Sequence, residues 1–261
     1  MKRTPIHPDL SQFPHELYPL LDGAPLFDSS CSPEARVYFI DRDGGYYLKT
    51  APSGALSREA ALTRFYHAKG LATEVLEYLS LERDWLLTAR VAGEDLTSAQ
   101  YLADPKRLCD TMAELLHTLH TLPAAECPFD HTAYYLATVE RNFTNGQFDN
   151  SIVPPSDAPF ATAIEAIATV RNGAHRLEHD TLIHGDFCLP NVMLDHWRFT
   201  GFIDLGNGGV GDRHVDLFWG AWTLFYNLGT NRYRERFFDA YGRSRIDPER
   251  LRIIAAAECF G

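Results

Sequence analysis

Residues 182–211, LIHGDFCLPNVMLDHWRFTGFIDLGNGGVG, constrain this chain more than any other stretch. Asp186 follows a short apolar run, Asn191 comes five residues later, and Asp204 closes the apolar segment Thr200-Gly201-Phe202-Ile203. Val192-Met193-Leu194 and Phe202-Ile203 read as two short strands joined by a turn around 195–198. A hairpin brings its ends together, so Asn191 ahead of the first strand and Asp204 behind the second are expected to be neighbours. Oxygen ligands from one Asn and one Asp suit Mg²⁺, which keeps several waters and completes its shell with substrate phosphates. Asp186, on the loop leading in, is placed to orient an attacking hydroxyl and to receive its proton. Asp, Asn and Asp in this order supply what kinase-type phosphoryl transfer requires.

The same stretch contains a competing pattern. Gly206-Asn207-Gly208-Gly209-Val210-Gly211 fits GxGxxG, comes after a strand and precedes a helix, as a dinucleotide-binding turn would. That reading needs a second parallel strand after the helix. Beyond Gly211 the chain instead reads as a long apolar helix, 216–228, and then another amphipathic helix. The expectation is therefore a glycine-rich loop bending around a metal site.

Length and composition set the frame. The 261 residues suffice for one large domain or two lobes, and 45% hydrophobic content supports a real core. Met1-Lys2-Arg3-Thr4-Pro5 lacks the apolar stretch of a signal peptide, and no run is long enough to span a bilayer. The five cysteines are scattered without CxxC pairs, which points to a reduced, cytoplasmic protein without structural zinc. A net charge of -11 argues against nucleic acid or anionic membranes as partners and is compatible with a cationic small molecule.

In chain order, Leu10, Phe13, Leu17, Leu20 and Leu21 share a helical spacing in the lead-in. Strands at 36–41 and 46–49 flank Asp43-Gly44-Gly45, a strong hairpin signal. Lys49 closes an otherwise apolar strand, which by itself reads as a lysine reaching for water. The next helix offers Ser57 as N-cap, a face of Ala61, Leu62, Phe65 and Tyr66, and Gly70 as its stop. Glu59 sits in its first turn, where a carboxylate suits the helix dipole and can reach Lys49. Segments 74–80 and 85–90 read as two more strands, and 89–93 leaves the sheet as an extended, side-chain-poor segment.

Beyond residue 104 the pattern turns helical. Asp104-Pro105 caps a helix whose apolar face is Leu108, Met112, Leu115, Leu116, Leu119 and Leu122. His117 and His120, three apart, read as helix-surface histidines in preference to a metal pair. Helices are expected at 135–145 and 160–171, then 216–228, a helix bearing Tyr233, Phe237, Phe238 and Tyr241, and a last one capped by Asp247-Pro248.

The motif HGDxxxxN, followed by a strand and IDLG, resembles the aminoglycoside phosphotransferases, above all the kanamycin and neomycin 3′-hydroxyl kinases of bacterial resistance. The resemblance extends through Arg83-Asp84-Trp85-Leu86-Leu87, Leu119-His120-Thr121-Leu122, Cys127-Pro128-Phe129-Asp130-His131 and Gly211-Asp212-Arg213, and so covers most of the chain. It implies an α+β, two-lobed protein-kinase-like fold. Residues 1–92 would form a small antiparallel β lobe that binds nucleotide, and residues 93–261 a larger α-helical lobe carrying catalysis and substrate.

By the same resemblance Ser32 lies on the phosphate-covering loop, and Lys49 pairs with Glu59 over the α- and β-phosphates of ATP or GTP. The Ala89 carbonyl and Val91 amide would meet the adenine edge, and Asp216 would pin the backbone of the catalytic loop. The relatives end in acidic, apolar and aromatic residues facing drug ammonium groups, a pattern matched by Glu258-Cys259-Phe260, with Gly261 one residue beyond. The same ending reads equally as a helix end packing Phe260 into the core.

Three departures from the relatives concern the acceptor and the phosphates. Their dense acidic run between helices is reduced to Asp149 and Asp157, Asn207 stands where they usually have Arg, and their penultimate acidic contact falls at Tyr226-Asn227. The expected reaction is phosphoryl transfer to a hydroxyl of a small cationic molecule, an aminoglycoside 3′-hydroxyl by resemblance. A kinase of choline, a hydroxy amino acid or a sugar is the alternative, since it would keep the same phosphate machinery.

Overall fold

Asp43, Gly44 and Gly45 turn the chain at positive φ (49°, 96° and 101°), so that apolar strands on either side close into the hairpin their composition predicts. The computed structural model describes residues 3–31, 35–154 and 159–261. The chain divides into two units, one joining Met1–Asp95 to Val192–Gly206 and the other joining Leu96–Asn191 to Asn207–Gly261. The boundary expected at 92 thus lies close to the end of the first segment, but the hairpin after Asn191 belongs with the first unit. Long-range strand pairing recruits it, and local sequence pattern carries no trace of such pairing.

The first unit holds strands β1 (Thr4–Ile6), β2 (Leu26–Asp28), β3 (Arg36–Ile40), β4 (Tyr46–Pro52), β5 (Val75–Ser80) and β6 (Arg83–Ala89). They form an antiparallel sheet in the order β1-β2-β3-β4-β6-β5. Side chains alternate across it with period two. Tyr38, Ile40, Leu48 and Leu87 therefore share one face, where they pack with Phe13, Leu17 and Leu21 from the lead-in, which holds the short helix α1 (Tyr18–Leu21). Ala51 and Leu86 share the other face and pack with Leu56 and Ala60 of helix α2 (Ser57–Ala68) and the residue before it. Lys49 has the parity of Ala51 and opposes Leu86, so it lies on the α2 face. Strand β4 runs on to Pro52, which puts Lys49 inside the strand and not at its end.

Ser57 does not cap α2, contrary to the sequence expectation. Its hydroxyl donates to the Gly54 carbonyl (2.9 Å), while buried Asp84 of β6 accepts from the Leu56 N–H (2.8 Å), the Ser80 hydroxyl (2.7 Å) and the Tyr78 hydroxyl (3.0 Å). A strand carboxylate thereby fixes where α2 begins, and with it the position of Glu59. The unit is completed by β7 (Glu94–Asp95) and by the hairpin of β9 (Val192–Asp195) and β10 (Arg198–Phe202), in the order β10-β9-β7. His196 and Trp197 turn that hairpin at φ 48° and 66°, as the sequence places it.

The second unit is helical: α3 (Ala99–Leu102), α4 (Pro105–His120), α5 (His131–Thr144), α6 (Ala163–Gly173), α7 (His214–Leu228), α8 (Arg234–Tyr241) and α9 (Pro248–Glu258). Asp104 caps α4 and Asp247 caps α9, each with Pro at the first helical position, as expected. Helix α6 starts at Ala163, later than the predicted 160, because Thr162 supplies the cap through the Glu165 N–H (3.2 Å). Helix α7 buries Leu217, Phe218, Ala221 and Leu224, and at Gly220 a Cβ would lie 2.6 Å from the Phe237 ring of α8. Strand β8 (Thr181–Ile183) pairs antiparallel with β11 (Gly209–Gly211), so the GxGxxG segment enters an antiparallel pair and the βαβ reading fails. Among the described residues no helix is long and apolar enough to cross a membrane.

Gly93 tests how tightly the first unit closes on its returning hairpin. At φ +85° a Cβ there would sit 2.1 Å from the Leu194 carbonyl oxygen, whereas Gly44 at φ +96° has nothing within 4 Å. Gly93→Ala combines strain with overpacking against backbone and should cost about 3 kcal/mol or more. Gly44→Ala meets strain alone, about 1–2 kcal/mol. Urea unfolding of the two variants against wild type checks this, and equal losses would refute the close approach.

Candidate active site

In the first unit three charged groups converge. Period-two alternation sends Lys49 from β4 toward α2, where its ammonium donates to Glu59 Oε2 at 2.8 Å and to Asp204 Oδ1 at 2.8 Å. Asp204 lies two residues past β10 in the left-handed region, φ 58°. The turn after it is fastened to α2 by Arg58 Nε, which donates to the Gly206 carbonyl at 3.0 Å. Burial disfavours the charge on Lys49, but the two carboxylates outweigh burial and raise its pKa. Burial pulls Glu59 the other way, toward protonation. With an ammonium at 2.8 Å, the ionised pair is the state the geometry favours. Glu59 is 13% exposed and Asp204 52%, so Asp204 is the carboxylate open to an incoming cation.

The second unit holds the other chemical groups on the loop after β8. The Asp216 carboxylate, fully buried on α7, accepts from the His184 N–H (2.8 Å) and the Gly185 N–H (2.7 Å). Gly185 takes φ +82°, and a Cβ there would meet the Asn207 carbonyl oxygen at 2.0 Å. The loop is held further along by the Leu189 N–H, which donates to the Thr223 hydroxyl (3.1 Å). Asn191 Nδ2 donates to the Asp186 carbonyl (3.0 Å) and to Asp186 Oδ2 (2.8 Å). Both amide hydrogens are thus committed to Asp186, and Asn191 Oδ1 is the atom presented for coordination.

Each unit carries an oxygen donor of the kind a hard divalent cation takes: Asp204 in the first is a half-exposed carboxylate already facing the Lys49 ammonium, and Asn191 in the second has an amide oxygen left once its Nδ2 has bonded Asp186.

His120 is the residue that sequence reasoning missed. It is buried, neither a surface histidine nor a metal ligand, and both ring nitrogens are engaged. Nε2 faces Asp216 Oδ2 at 3.0 Å and Nδ1 faces the Tyr241 hydroxyl at 2.8 Å. A neutral ring protonated on Nε2 donates to Asp216 and accepts from Tyr241, satisfying every partner. The signal was available in the spacing of Leu108, Met112, Leu116 and His120, four apart along the buried face of α4.

The remaining candidates fall into several settings. Glu258 is 8% exposed at the end of α9 and accepts from the Tyr135 hydroxyl at 2.8 Å. The Phe260 ring is buried, packing edge-on to Phe143 (5.8 Å) and against Phe148 (5.8 Å), and the Phe260 carbonyl accepts from Asn142 Nδ2 (2.7 Å). The aromatic ring thus serves the core, as the packing alternative held, and Gly261 alone of that ending is exposed. Asp149 is exposed, its carboxylate caps the turn Asn150–Ile152, and its N–H donates to the Cys259 carbonyl (2.8 Å), which brings it to the chain end. Tyr226 is 69% exposed and stacks on Trp222 at 5.0 Å. The Ala89 carbonyl accepts from the Thr73 hydroxyl (2.6 Å), which leaves one lone pair for an adenine, and Val91 is buried. Ser32 and Asp157 lie outside the described residues.

The His120–Asp216 contact makes stability depend on pH. Burial holds the His120 pKa below its ordinary value despite the pull of Asp216. Its stabilising contribution is therefore complete above about pH 6.5, the unfolded value, and is lost as pH falls toward the folded one. Burial pushes Asp216 up, but His120 and the loop amides outweigh it and its pKa is lowered, so its own contribution fails only at more acidic pH. Urea midpoints at pH 7.5 and pH 5.5 should differ more for wild type than for His120→Gln. An identical pH slope in the two proteins would sink this assignment.

Residues 29–254 match the model of the phosphotransferase enzyme family. The chain is 48% identical over 255 residues, 97% of both chains, to a probable aminoglycoside 3′-phosphotransferase of Lactococcus lactis subsp. lactis. It is 32% identical to an aminoglycoside 3′-phosphotransferase of Streptomyces fradiae, covering 82% of this chain and 85% of that one. Among solved structures, an aminoglycoside 3′-phosphotransferase of type VIII superposes with a TM-score of 0.76 at 24% identity, covering 96% of both chains. An aminoglycoside phosphotransferase of Streptomyces rimosus in complex with ADP and streptomycin gives a TM-score of 0.72 at 24% identity, covering 97% of this chain and 99% of that one. These structural likenesses speak for the fold, the family match and the Lactococcus relative for descent: the chain belongs to the phosphotransferase enzyme family.

Proposed function

We propose that this protein transfers the γ-phosphoryl group of ATP or GTP to a hydroxyl of an aminoglycoside, the 3′-hydroxyl in particular. The observation that carries the reading is the Asp186 loop, held by its own backbone to Asp216 and by its side chain to Asn191. The relatives named as aminoglycoside 3′-phosphotransferases support the acceptor, and the ADP and AMP-PNP complexes of more distant aminoglycoside phosphotransferases support the nucleotide.

In this mechanism Lys49, kept in place by Glu59, clamps the α/β side of the nucleotide. Asn191 and Asp204 are the residues that would hold Mg²⁺, which when bound would supply positive charge to the phosphate oxygens. Asp186 orients the acceptor hydroxyl and takes its proton late, because the transition state is loose and the hydroxyl stays weakly acidic until bond formation is advanced. The bond between Asp186 Oδ2 and Asn191 fixes one oxygen and turns the carboxylate. Glu258, and Asp149 near the chain end, are the carboxylates available to acceptor ammonium groups.

Two sets of variants test these roles. Asp186→Ala should retain nucleotide affinity and lose turnover by about 10²–10⁴-fold, the range expected for a positioned proton acceptor. Asp204→Ala should lose Mg²⁺-dependent nucleotide affinity together with turnover. Wild-type transfer by Asp186→Ala would overturn the assignment, and an ADP-release panel of aminoglycosides, choline and simple sugars decides the acceptor class.

Glu59→Ala should raise the KM for ATP roughly tenfold, the effect of losing one hydrogen bond between charged partners. Combined with Lys49→Ala, the effects should be strongly non-additive, as for groups acting as a unit. Simple additivity would mean that Glu59 does not act through Lys49.

A further inference from the structure

In the second unit three helices turn side chains toward one space. Helix α7 contributes Phe218, Ala221 and Trp222, at i, i+3 and i+4 on one face. Helix α9 contributes Pro248, Leu251, Arg252 and Ala255, at i, i+3, i+4 and i+7, and Arg234 and Phe238, four apart, come from α8. Together they enclose a cavity of about 320 Å³. Close-packed interiors hold few voids larger than a water molecule, whereas sites for small ligands run from about 300 to 1,000 Å³. Two of the facing positions are alanines, Ala221 and Ala255, which leave the room that larger side chains would take.

The lining combines flat rings with two cations. The guanidiniums of Arg234 and Arg252 each lie over an aromatic ring, that of Phe238 at 5.1 Å and that of Phe160 at 3.6 Å. A ring beneath a guanidinium holds its plane, and the planar fork takes a carboxylate through two parallel hydrogen bonds. Each guanidinium has five N–H donors, so a bond made elsewhere in the protein leaves donors for a ligand. Asn231 is the other polar residue of the lining, and none of the lining residues is acidic. In a chain of net charge -11 this is a local reversal of sign. It separates the cavity from the acceptor reading above, whose cationic ligand two guanidiniums would repel.

We propose that this cavity is a binding site for a small aromatic carboxylate, its ring among Phe218, Trp222 and Phe238 and its anionic head held by Arg234 and Arg252. Aromatic walls favour a flat ring, which they meet by offset stacking or edge to face. Guanidiniums favour a carboxylate, whose two oxygens match their donors. An uncharged ring of the same shape forgoes the charge-assisted bonds, and a bare inorganic anion leaves the aromatic walls unfilled. None of the lining residues is assigned to phosphoryl transfer. The occupant packs against α7, the helix whose Asp216 carboxylate and Thr223 hydroxyl hold the catalytic loop. Binding here does not depend on the phosphoryl-transfer reading.

The test is calorimetric titration of the full-length protein with cinnamate, and with cinnamyl alcohol as its uncharged counterpart. Cinnamate should bind at a single site, and the alcohol about tenfold or more weaker, the effect of losing a hydrogen bond to a charged group. Arg234→Gln and Arg252→Gln should each weaken cinnamate by about tenfold or more and leave the alcohol unchanged. Ala255→Leu fills the cavity and should abolish binding of both compounds. It alters neither cation, which keeps the test decisive should an arginine variant fail to fold. Saturating ADP should leave cinnamate affinity unchanged. Equal affinity for cinnamate and the alcohol would refute recognition of an anion. Wild-type cinnamate binding in the arginine variants or in Ala255→Leu, or displacement by ADP, would put the ligand elsewhere and overturn the site. Absence of cinnamate binding at any soluble concentration would overturn it as well.

Discussion

The geometry of the catalytic loop depends on one buried charge. Asp216 has no solvent exposure, and a carboxylate in that position is tolerable only if donors replace its lost water. Two of the donors are backbone N–H groups of the loop, from His184 and Gly185, and a third is the ring of His120. His120 is oriented in turn by the Tyr241 hydroxyl. Helices α4, α7 and α8 thus converge on one carboxylate, and the loop that carries Asp186 takes its shape from their packing. Gly185 completes the arrangement because only a residue without a Cβ passes Asn207 at that φ.

The first unit applies a different rule to charge. Its cluster of Lys49, Glu59 and Asp204 is partly exposed, and one ammonium serves two carboxylates. Glu59 is the more buried carboxylate, placed by the start of α2, which the buried carboxylate of Asp84 sets from the neighbouring strand. Asp204 is the more exposed one, placed by a backbone in the left-handed region that Asp adopts more readily than most residues. A site of this kind keeps one partner rigid and leaves the other available.

Asp216 and Glu258 show how environment separates two buried carboxyls. Donors surround Asp216 and outweigh burial, so its pKa is lowered and it remains an anion that shapes the loop. Glu258 accepts from the Tyr135 hydroxyl, yet burial, with the charge on Asp186 adding to it, lifts it to about 7. The first is a permanent structural charge, and the second titrates near neutral pH.

Local pattern by itself determined the strands and their turns, the capped helices, and the hairpin between Asn191 and Asp204, because period-two and 3.6-residue spacing and turn residues act over a few positions. Two of the chemical pairings were legible for the same reason: Asp186 with Asn191, and Lys49 with Glu59, stand at spacings that their elements translate directly into proximity. Tertiary structure alone decided what depended on distant partners. Ser57 yielded its capping role to Asp84 of another strand, the hairpin joined the first unit through β7, and His120 left the surface to meet Asp216 and Tyr241. Phe260 went to the core while Glu258, two residues earlier, kept a polar partner, since positions two apart at a helix end face different sides and meet different neighbours. Sequence spacing encodes which side chains share a face; only packing specifies what that face meets.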